Sequence, residues 1–464
     1  MTETTRELSA AAGELIGRVD GPVYTPGADG YDKERIGFQR LAPHRPEVVV
    51  GARGEQDVRA AVEFAAAHGT RVAVQARGHG LGAPLEGGVL ISTGRMTGVR
   101  VAPHERTAWV EAGASWQQVI EAAAPHGLAP LSGSAPGVGA VPYTLGGGVG
   151  LLARRHGFAA DRVRRIALVT ADGRLRRVTA QSDPELFWAL RGGGGNFGAV
   201  TGMEVGLVPV ARIYGGGLYF DTAQVPDVLE AWRRWTQTVP EETTSAVAML
   251  PFPDVPQVPE PLRGRHAAQI QICHLGPAEE GERLVEPLRA LGPLLRDTLR
   301  ELPYTESGTV FDEPDRPHAY RSQNRLLADL DPGALATLTR SAGPLVPVMC
   351  VVGLRHLGGA LARPPQPANA VGHREAAYAL VVLSPVEPGE EETVRAVHRD
   401  VLAPFEDQAL GRSLNFSFGP LDHDQVRSAF TPAGHRRLAA LKARCDPGGL
   451  FHCGHPIPPL AEED

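Results

Sequence analysis

The stretch RVAVQARGHGLGAPLEGGVLISTG, Arg71 to Gly94, sets one histidine, His79, between Gly78 and Gly80 in a turn otherwise dominated by glycine. Two further glycine-rich runs follow: SGSAPGVGAVPYTLGGGVG at 132–150 and RGGGGNFGAVTG at 191–202. Turns of this kind let main-chain N–H groups converge on an anion with no side chain in the way. Three of them within one region argue for a long ligand threaded through several turns rather than a single bound phosphate. His79 itself has two readings from the sequence: a turn histidine bonded to its neighbours, or a group that reacts with the ligand.

Gly193, Gly195 and Gly198 form a GxGxxG pattern, but a dinucleotide fingerprint needs a strand before it and a helix after it. Here a helical pattern (ELFWALR) precedes and a strand pattern (AVTGMEV) follows, so a Rossmann site is rejected. No GK[ST] is present to make a P-loop, and phosphates are expected on glycine turns without a helix dipole as the main force. The string HCGH, His452 to His455, is read as a C-terminal loop in which the imidazoles are incidental, because four consecutive residues do not supply a separate ligand pair; no metal is expected. Cys273, Cys350, Cys445 and Cys453 lack CxxC spacing and read as free thiols.

Taken together, VQARGHG, the run GVG…LGGGVGLLARRHGFAADRV, DPELFWALRGGGGNFGAVTG, and near the end LNF followed by LKARCDPGGLF resemble the flavin-linked oxidases of the vanillyl-alcohol oxidase/p-cresol methylhydroxylase superfamily, in the berberine-bridge-enzyme-like branch. The likeness spans roughly residues 35–210 and 400–460 and extends to the hydroxynicotine-oxidase-like and mitomycin-resistance-like members. It implies bound FAD, with Gln75, Ala76, Arg77, Gly78, Gly80 and Gly82 in a turn around the pyrophosphate and His79 bonded covalently to the flavin ring. Ser134, Pro136, Gly139 and Ala140 of the second run, Gly146, Gly147, Gly148 and Gly150 after it, and Gly198 and Val200 of the third complete the implied cofactor shell. Many relatives add a second link through a cysteine; Ala135 stands at that position, which implies a single attachment.

The same resemblance implies hydride transfer from a C–O or C–N centre to flavin and then to O2, with a base removing a proton from the substrate. Asn415 matches the asparagine of the family's YxN motif and is expected against the flavin; Ser413 replaces the motif's tyrosine. Tyr320, Tyr143 and Asn415 are the catalytic candidates, and His356 and Tyr378 could also reach the flavin face; for the tyrosines and His356, a structural role is the rival reading. The second domain, lacking a run of hydrogen-bonding groups suited to a carbohydrate, favours an apolar, multi-ring or amine-bearing small molecule of specialised metabolism, with oxidative ring closure as one outcome. The alternative is a resistance flavoprotein that reoxidises or sequesters a redox-active natural product.

The elements that must position these residues follow from pattern. EVVVGA, a helix over GEQDVRAAVEFAAAHG ending at Gly69, and RVAVQA make a βαβ start. Ser115 and Gln118 have capping-box spacing, Asp172-Gly173 turns a hairpin, and Asp183-Pro184 opens the helix that buries Trp188. Beyond Ile213 come long strands (GGGLYFD, SAVAMLPF, AAQIQICHLG, AYALVVLSP) separated by amphipathic helices, the signature of an antiparallel sheet covered on one side.

The expected fold is α+β: a two-domain, p-cresol-methylhydroxylase-type FAD-binding fold with an antiparallel-sheet substrate domain roofing the flavin. The expected division is 1–210 for FAD binding (core about 42–210), 211–398 for substrate, and 399–464 returning to the first domain. A length of 464 residues fits that number of units. The net charge of −7 gives no electrostatic reason to expect nucleic acid or an anionic membrane as partner. With only Lys33 and Lys442 among 46 basic residues, the arginine excess reads as a coding bias. No signal peptide or membrane span is evident, so a cytoplasmic monomer or homodimer is expected.

Overall fold

The computed structural model describes residues 8–459. Three sheets organise the chain. In the first, Val48–Gly51 and Val72–Gln75 both pair in parallel with Val89–Ser92, which lies between them, and Val23–Tyr24 adds antiparallel at the edge. The helix Glu55–Ala67 makes the crossover and buries Val58, Ala61, Val62 and Phe64. Acids in its first turn, Glu55 and Asp57, suit the positive end of the helix dipole. Gly69 at φ +60° ends it in the left-handed region.

The second sheet is antiparallel, in the order Val99–Ala102, Thr107–Glu111, Ala199–Gly206, Val163–Val169, Leu175–Val178. Its local devices are those the sequence specifies. Ser115 and Gln118 form a reciprocal capping box at the start of Trp116–Ala123. Thr170 and Arg174 close the Asp172-Gly173 hairpin, and Asp183 caps Pro184–Ala189 through Leu186 N–H. Trp188 is buried in the core as expected.

The third sheet has nine strands, all antiparallel. From one edge the order is Leu294–Asp297, Arg212–Asp221, His266–His274, Thr243–Pro251, Val351–His356, Tyr378–Pro385, Tyr320–Leu327 and Ala409–Gly411, with Arg300–Pro303 also pairing on Arg212–Asp221. Helices Val228–Thr236, Ala278–Arg289, Pro332–Ser341 and Glu391–Leu402 pack on one face, burying Trp232, Leu288, Leu335 and Val394 with Ile270, Leu354 and Leu380. The opposite face looks onto the first two sheets. Because side chains alternate across a strand, Gln269 and Gln271 face inward while Ile270 and Ile272 join the helix-side core.

The C-terminal segment first adds Ala409–Gly411 to the edge of this sheet and then crosses back. There it forms Pro432–Cys445 and, at Phe451, bridges in parallel to Val72 of the first sheet. A buried pair anchors the crossing. Lys442 Nζ donates to Asp446 at 2.5 Å and to Asn196 O at 2.8 Å, and Asp446 accepts from Leu450 and Phe451 N–H. No described helix is long and apolar enough to cross a membrane.

Candidate active site

Between the nine-stranded sheet and the glycine turns lies a cavity of about 1030 Å³. A pocket of that size exceeds the usual range for one drug-sized ligand, about 300–1,000 Å³, and suits a cofactor with a substrate beside it.

Its floor is made by the glycine turns. Gly78, at φ +69°, packs so closely on Gly37 that a Cβ there would lie 2.6 Å from the Gly37 Cα. The chain at 38–39 pairs with this turn, Phe38 N–H donating to Arg77 O and Gln39 N–H to Gly78 O. At the other end of the turn a Cβ on Gly82 would meet Gly454 O at 2.1 Å. Among the described residues, none of the main-chain N–H groups of 77–82 or of 133–135 has an intramolecular acceptor. Buried or half-buried N–H groups without partners are costly, so two runs of them facing one cavity mark where an anionic ligand completes the structure.

His79 stands at the edge of that floor. Its ring stacks on Phe38, centroids 4.0 Å apart and 14° from parallel, and its main-chain carbonyl accepts from the Tyr320 hydroxyl at 2.5 Å. Nδ1 is buried with no partner. Burial, aided by the charge of Arg77, pushes the imidazole down to about 4, so at neutral pH the ring is uncharged. The orphaned Nδ1 and the free N–H runs fit a flavin dinucleotide, whose pyrophosphate the turns would hold and whose ring edge His79 would meet.

The expected cofactor residues divide by position. Gln75, Ala76, Arg77, Gly78, Gly80 and Gly82 line the cavity with His79; so do Ser134, Gly139, Gly146, Gly198, Val200 and Asn415. Pro136, Ala140, Gly147, Gly148 and Gly150 stand behind that lining. The helix Ala140–Leu145 carries Ala140 into the core, where its N–H is taken by Ala114 O. Gly148 and Gly150 are glycine for packing: a Cβ would lie 2.4 Å from the Tyr143 ring and 1.7 Å from Ser132 O, respectively. Gly147 abuts Val371 and Pro136 abuts Gly308.

Asn415 donates to Tyr143 O at 2.9 Å and lies on Gly146, where a Cβ would be 1.9 Å from its Oδ1. Ser413 is spent elsewhere, exchanging main-chain hydrogen bonds with the Asn324 side chain. Tyr143 and Tyr320 both line the cavity. Burial drives both phenols well above their ordinary value, and the Tyr143 hydroxyl has no partner. Each is therefore protonated at neutral pH. His356 and Tyr378 are off the site. Strand parity turns them to the helix side, where His356 bonds Arg154 Nη1 at 2.7 Å and the Tyr378 hydroxyl pairs with Thr236.

Several lining residues escape the sequence reading. Gln269 and Gln271 alternate with isoleucines in a buried strand, a readable sign of a polar inward face. Arg355 and Glu313 join them on the roof, beside the apolar Ala248, Leu250, Val381 and Leu383. HCGH is more than an incidental loop: all four residues line the cavity, with His452 Nε2 3.1 Å from Ala83 O and His455 Nε2 3.1 Å from Ser417 O. Phe38 has no motif to reveal it.

Comparison with known proteins agrees with this geometry. Residues 46–179 match the FAD binding domain family. The chain is 26% identical over 471 residues to (R)-6-hydroxynicotine oxidase of Paenarthrobacter nicotinovorans, covering 95% of this chain and 97% of that one. The chain thus carries an FAD binding domain and is similar over nearly its whole length to FAD-linked oxidoreductases. The chain is also 25% identical over 457 residues to the uncharacterised FAD-linked oxidoreductase YgaK of Bacillus subtilis, covering 96% of this chain and 98% of that one. Its fold is shared with 6-hydroxy-D-nicotine oxidase from Arthrobacter nicotinovorans (TM-score 0.81, 23% identity, 95% and 98% coverage). A xylooligosaccharide oxidase from Myceliophthora thermophila shares it too (TM-score 0.85, 20% identity, 97% and 100% coverage). These likenesses establish the α+β, p-cresol-methylhydroxylase-type fold, with the large antiparallel sheet over the FAD-binding part.

Proposed function

We propose that this oxidoreductase is an oxidase that carries FAD bonded once, through His79, and removes hydride from a C–O or C–N centre of an apolar, ring-bearing small molecule, with O2 as the final acceptor. The observation that carries the reading is His79: a neutral imidazole whose buried Nδ1 lacks a partner at the edge of a large, glycine-floored cavity. When bound, the flavin supplies the two-electron acceptor, and an alkylated ring edge would make it a stronger oxidant.

The chain's own residues do the rest. The free N–H groups of 77–82 and 133–135 would hold the pyrophosphate and the ring's polar edge, and Asn415 braces the floor at Gly146. Leu250, Phe252, Val351 and Leu383 exclude water from the roof, while Gln269 and Gln271 would orient polar groups of the substrate. The apolar share of that roof supports a ring-bearing substrate of specialised metabolism over an oligosaccharide. Ala135 lines the cavity without sulfur, in keeping with a single link.

The test is the acid-precipitated protein. A yellow pellet that turns colourless in His79→Ala, with every cysteine variant still yellow, supports the assignment; a colourless wild-type pellet refutes it. Anaerobic addition of candidate substrates then separates an oxidase, whose flavin bleaches, from a drug-sequestering protein, whose flavin shifts but stays oxidised.

A further inference from the structure

Where the roof meets the floor, three polar side chains from distant parts of the chain converge. Glu313 Oε1 accepts from Ser134 Oγ at 2.6 Å and lies 3.5 Å from Arg355 Nη2, which also donates to Ser134 Oγ at 3.2 Å. Ser134 is buried in the floor loop beside Ala135. The Arg355 guanidinium is held against two rings, 4.7 Å from the Phe311 centroid and 4.8 Å from that of Phe416. Among the described residues only Asp312 and Glu313 bring carboxylates to the cavity, and of the two only Glu313 is tethered. Its charge reaches both cavity phenols, adding to the upward push on Tyr143 and on Tyr320. It therefore stands over the floor between the His79 turn and the 133–139 loop.

We propose that Glu313 is the proton acceptor of this site. The two tyrosines are held protonated, one with its hydroxyl already given to His79, and Ser413 is tied to Asn324 away from the cavity. Of the two carboxylates in the lining, Glu313 is the one that side chains from the floor and the roof hold in place. Glu313 would take the O–H or N–H proton of the substrate as a C=O or C=N bond forms, and the flavin, when bound, would supply the acceptor for the hydride lost from the adjacent carbon. Reoxidation by O2 takes up the two electrons and two protons as peroxide. Ser134 and Arg355 are positioning residues that aim the carboxylate. Its side chain, 37% exposed, can return the proton to solvent.

This inference rests on the flavoenzyme reading above, and its test separates the two. Sulfite, which adds to oxidised flavin as an anion, is the probe, titrated into wild-type and Glu313→Gln holoproteins by loss of flavin absorbance. A carboxylate over the reacting end of the ring repels it. Glu313→Gln is expected to bind sulfite about tenfold more tightly than wild type, because the substitution removes the charge that repels the anion. Ser134→Ala, which frees the carboxylate from its tether, falls between the two. With any compound that bleaches the wild-type flavin anaerobically, Glu313→Gln slows bleaching about a hundredfold or more, the scale of a lost general base. A yellow Glu313→Gln protein with unchanged sulfite affinity overturns the role of Glu313 and leaves the oxidase reading standing. A colourless wild-type protein overturns both.

Discussion

The Tyr320 hydroxyl donates to the main-chain carbonyl of His79 at 2.5 Å. A side chain of the large sheet thus holds the backbone of the histidine in the floor, while Phe38 stacks on its ring and the Gln39 side chain reaches the Tyr320 main chain. Tyr320→Phe removes this tie without opening a cavity. It is expected to cost about 1 kcal/mol of stability, the usual worth of one hydrogen bond. The His79 ring loses its fixed approach, and the covalently bound fraction of flavin should fall severalfold while total flavin remains bound. Comparing absorbance before and after acid precipitation checks it, and a wild-type covalent fraction in the variant would show that the contact is idle.

The buried pair Lys442–Asp446 carries the C-terminal crossing. Lys442→Met leaves Asp446 buried, with two main-chain N–H groups still bonded to it but its cation gone. Breaking such a pair from one side costs about 3–5 kcal/mol. Urea midpoints should drop accordingly, whereas Arg427→Gln, at an exposed pair with Asp424, should shift them by less than about 1 kcal/mol.

Gly146→Ala tests the floor. The new methyl would occupy the place of the Asn415 Oδ1, 1.9 Å away, so either Asn415 or the loop must move. FAD binding is expected to weaken at least tenfold, and Asn415→Ala in the same chain should restore part of it by vacating the space. Flavin retained on gel filtration is the readout. No rescue would mean that the methyl acts on the backbone rather than on Asn415.

Stability should fall in mild acid. Burial holds His44, His398 and His455 down to about 4 and His356 to about 3, far below a free imidazole near 6.5. The unfolded chain therefore binds protons between pH 6.5 and 4 that the folded chain refuses, and unfolding is favoured as pH drops through that window. The stabilisation is fully present above about pH 6.5, with each group contributing up to about 1.4 kcal/mol per pH unit below it. Melting temperatures should be flat from pH 7 to 8 and decline steeply from pH 6 to 5. His398→Gln should soften the decline, and a flat acid limb would contradict the burial of these rings.

Local signals made much of the fold readable. Ser115 with Gln118, Asp172-Gly173 and Asp183-Pro184 each satisfy specific orphan backbone groups, and such chemistry needs no tertiary context. The strand Tyr320–Leu327 was not readable, because YRSQNRLL is polar in sequence yet almost wholly buried. Its partners are remote: Arg325 meets Glu406, Ser322 meets Phe416 O and Asn324 meets Ser413 O. His79 could be singled out because glycines flank it. Glu313 sits in an unremarkable acidic, proline-bearing loop and acquires meaning only when Ser134 and Arg355 are brought to it from more than 40 residues away in either direction.

One joint has a bearing on how the cofactor is acquired. Gly454 O accepts from Ala83 N–H, His452 N–H donates to Val72 O, and Leu450 O accepts from Val72 N–H, so residues near the C-terminus close the turn that holds His79. A ribosome has made the glycine turns, the sheets and the histidine long before it makes this clasp. A chain that still lacks residues 450–454 can collapse around its first domain yet has no finished seat for a dinucleotide.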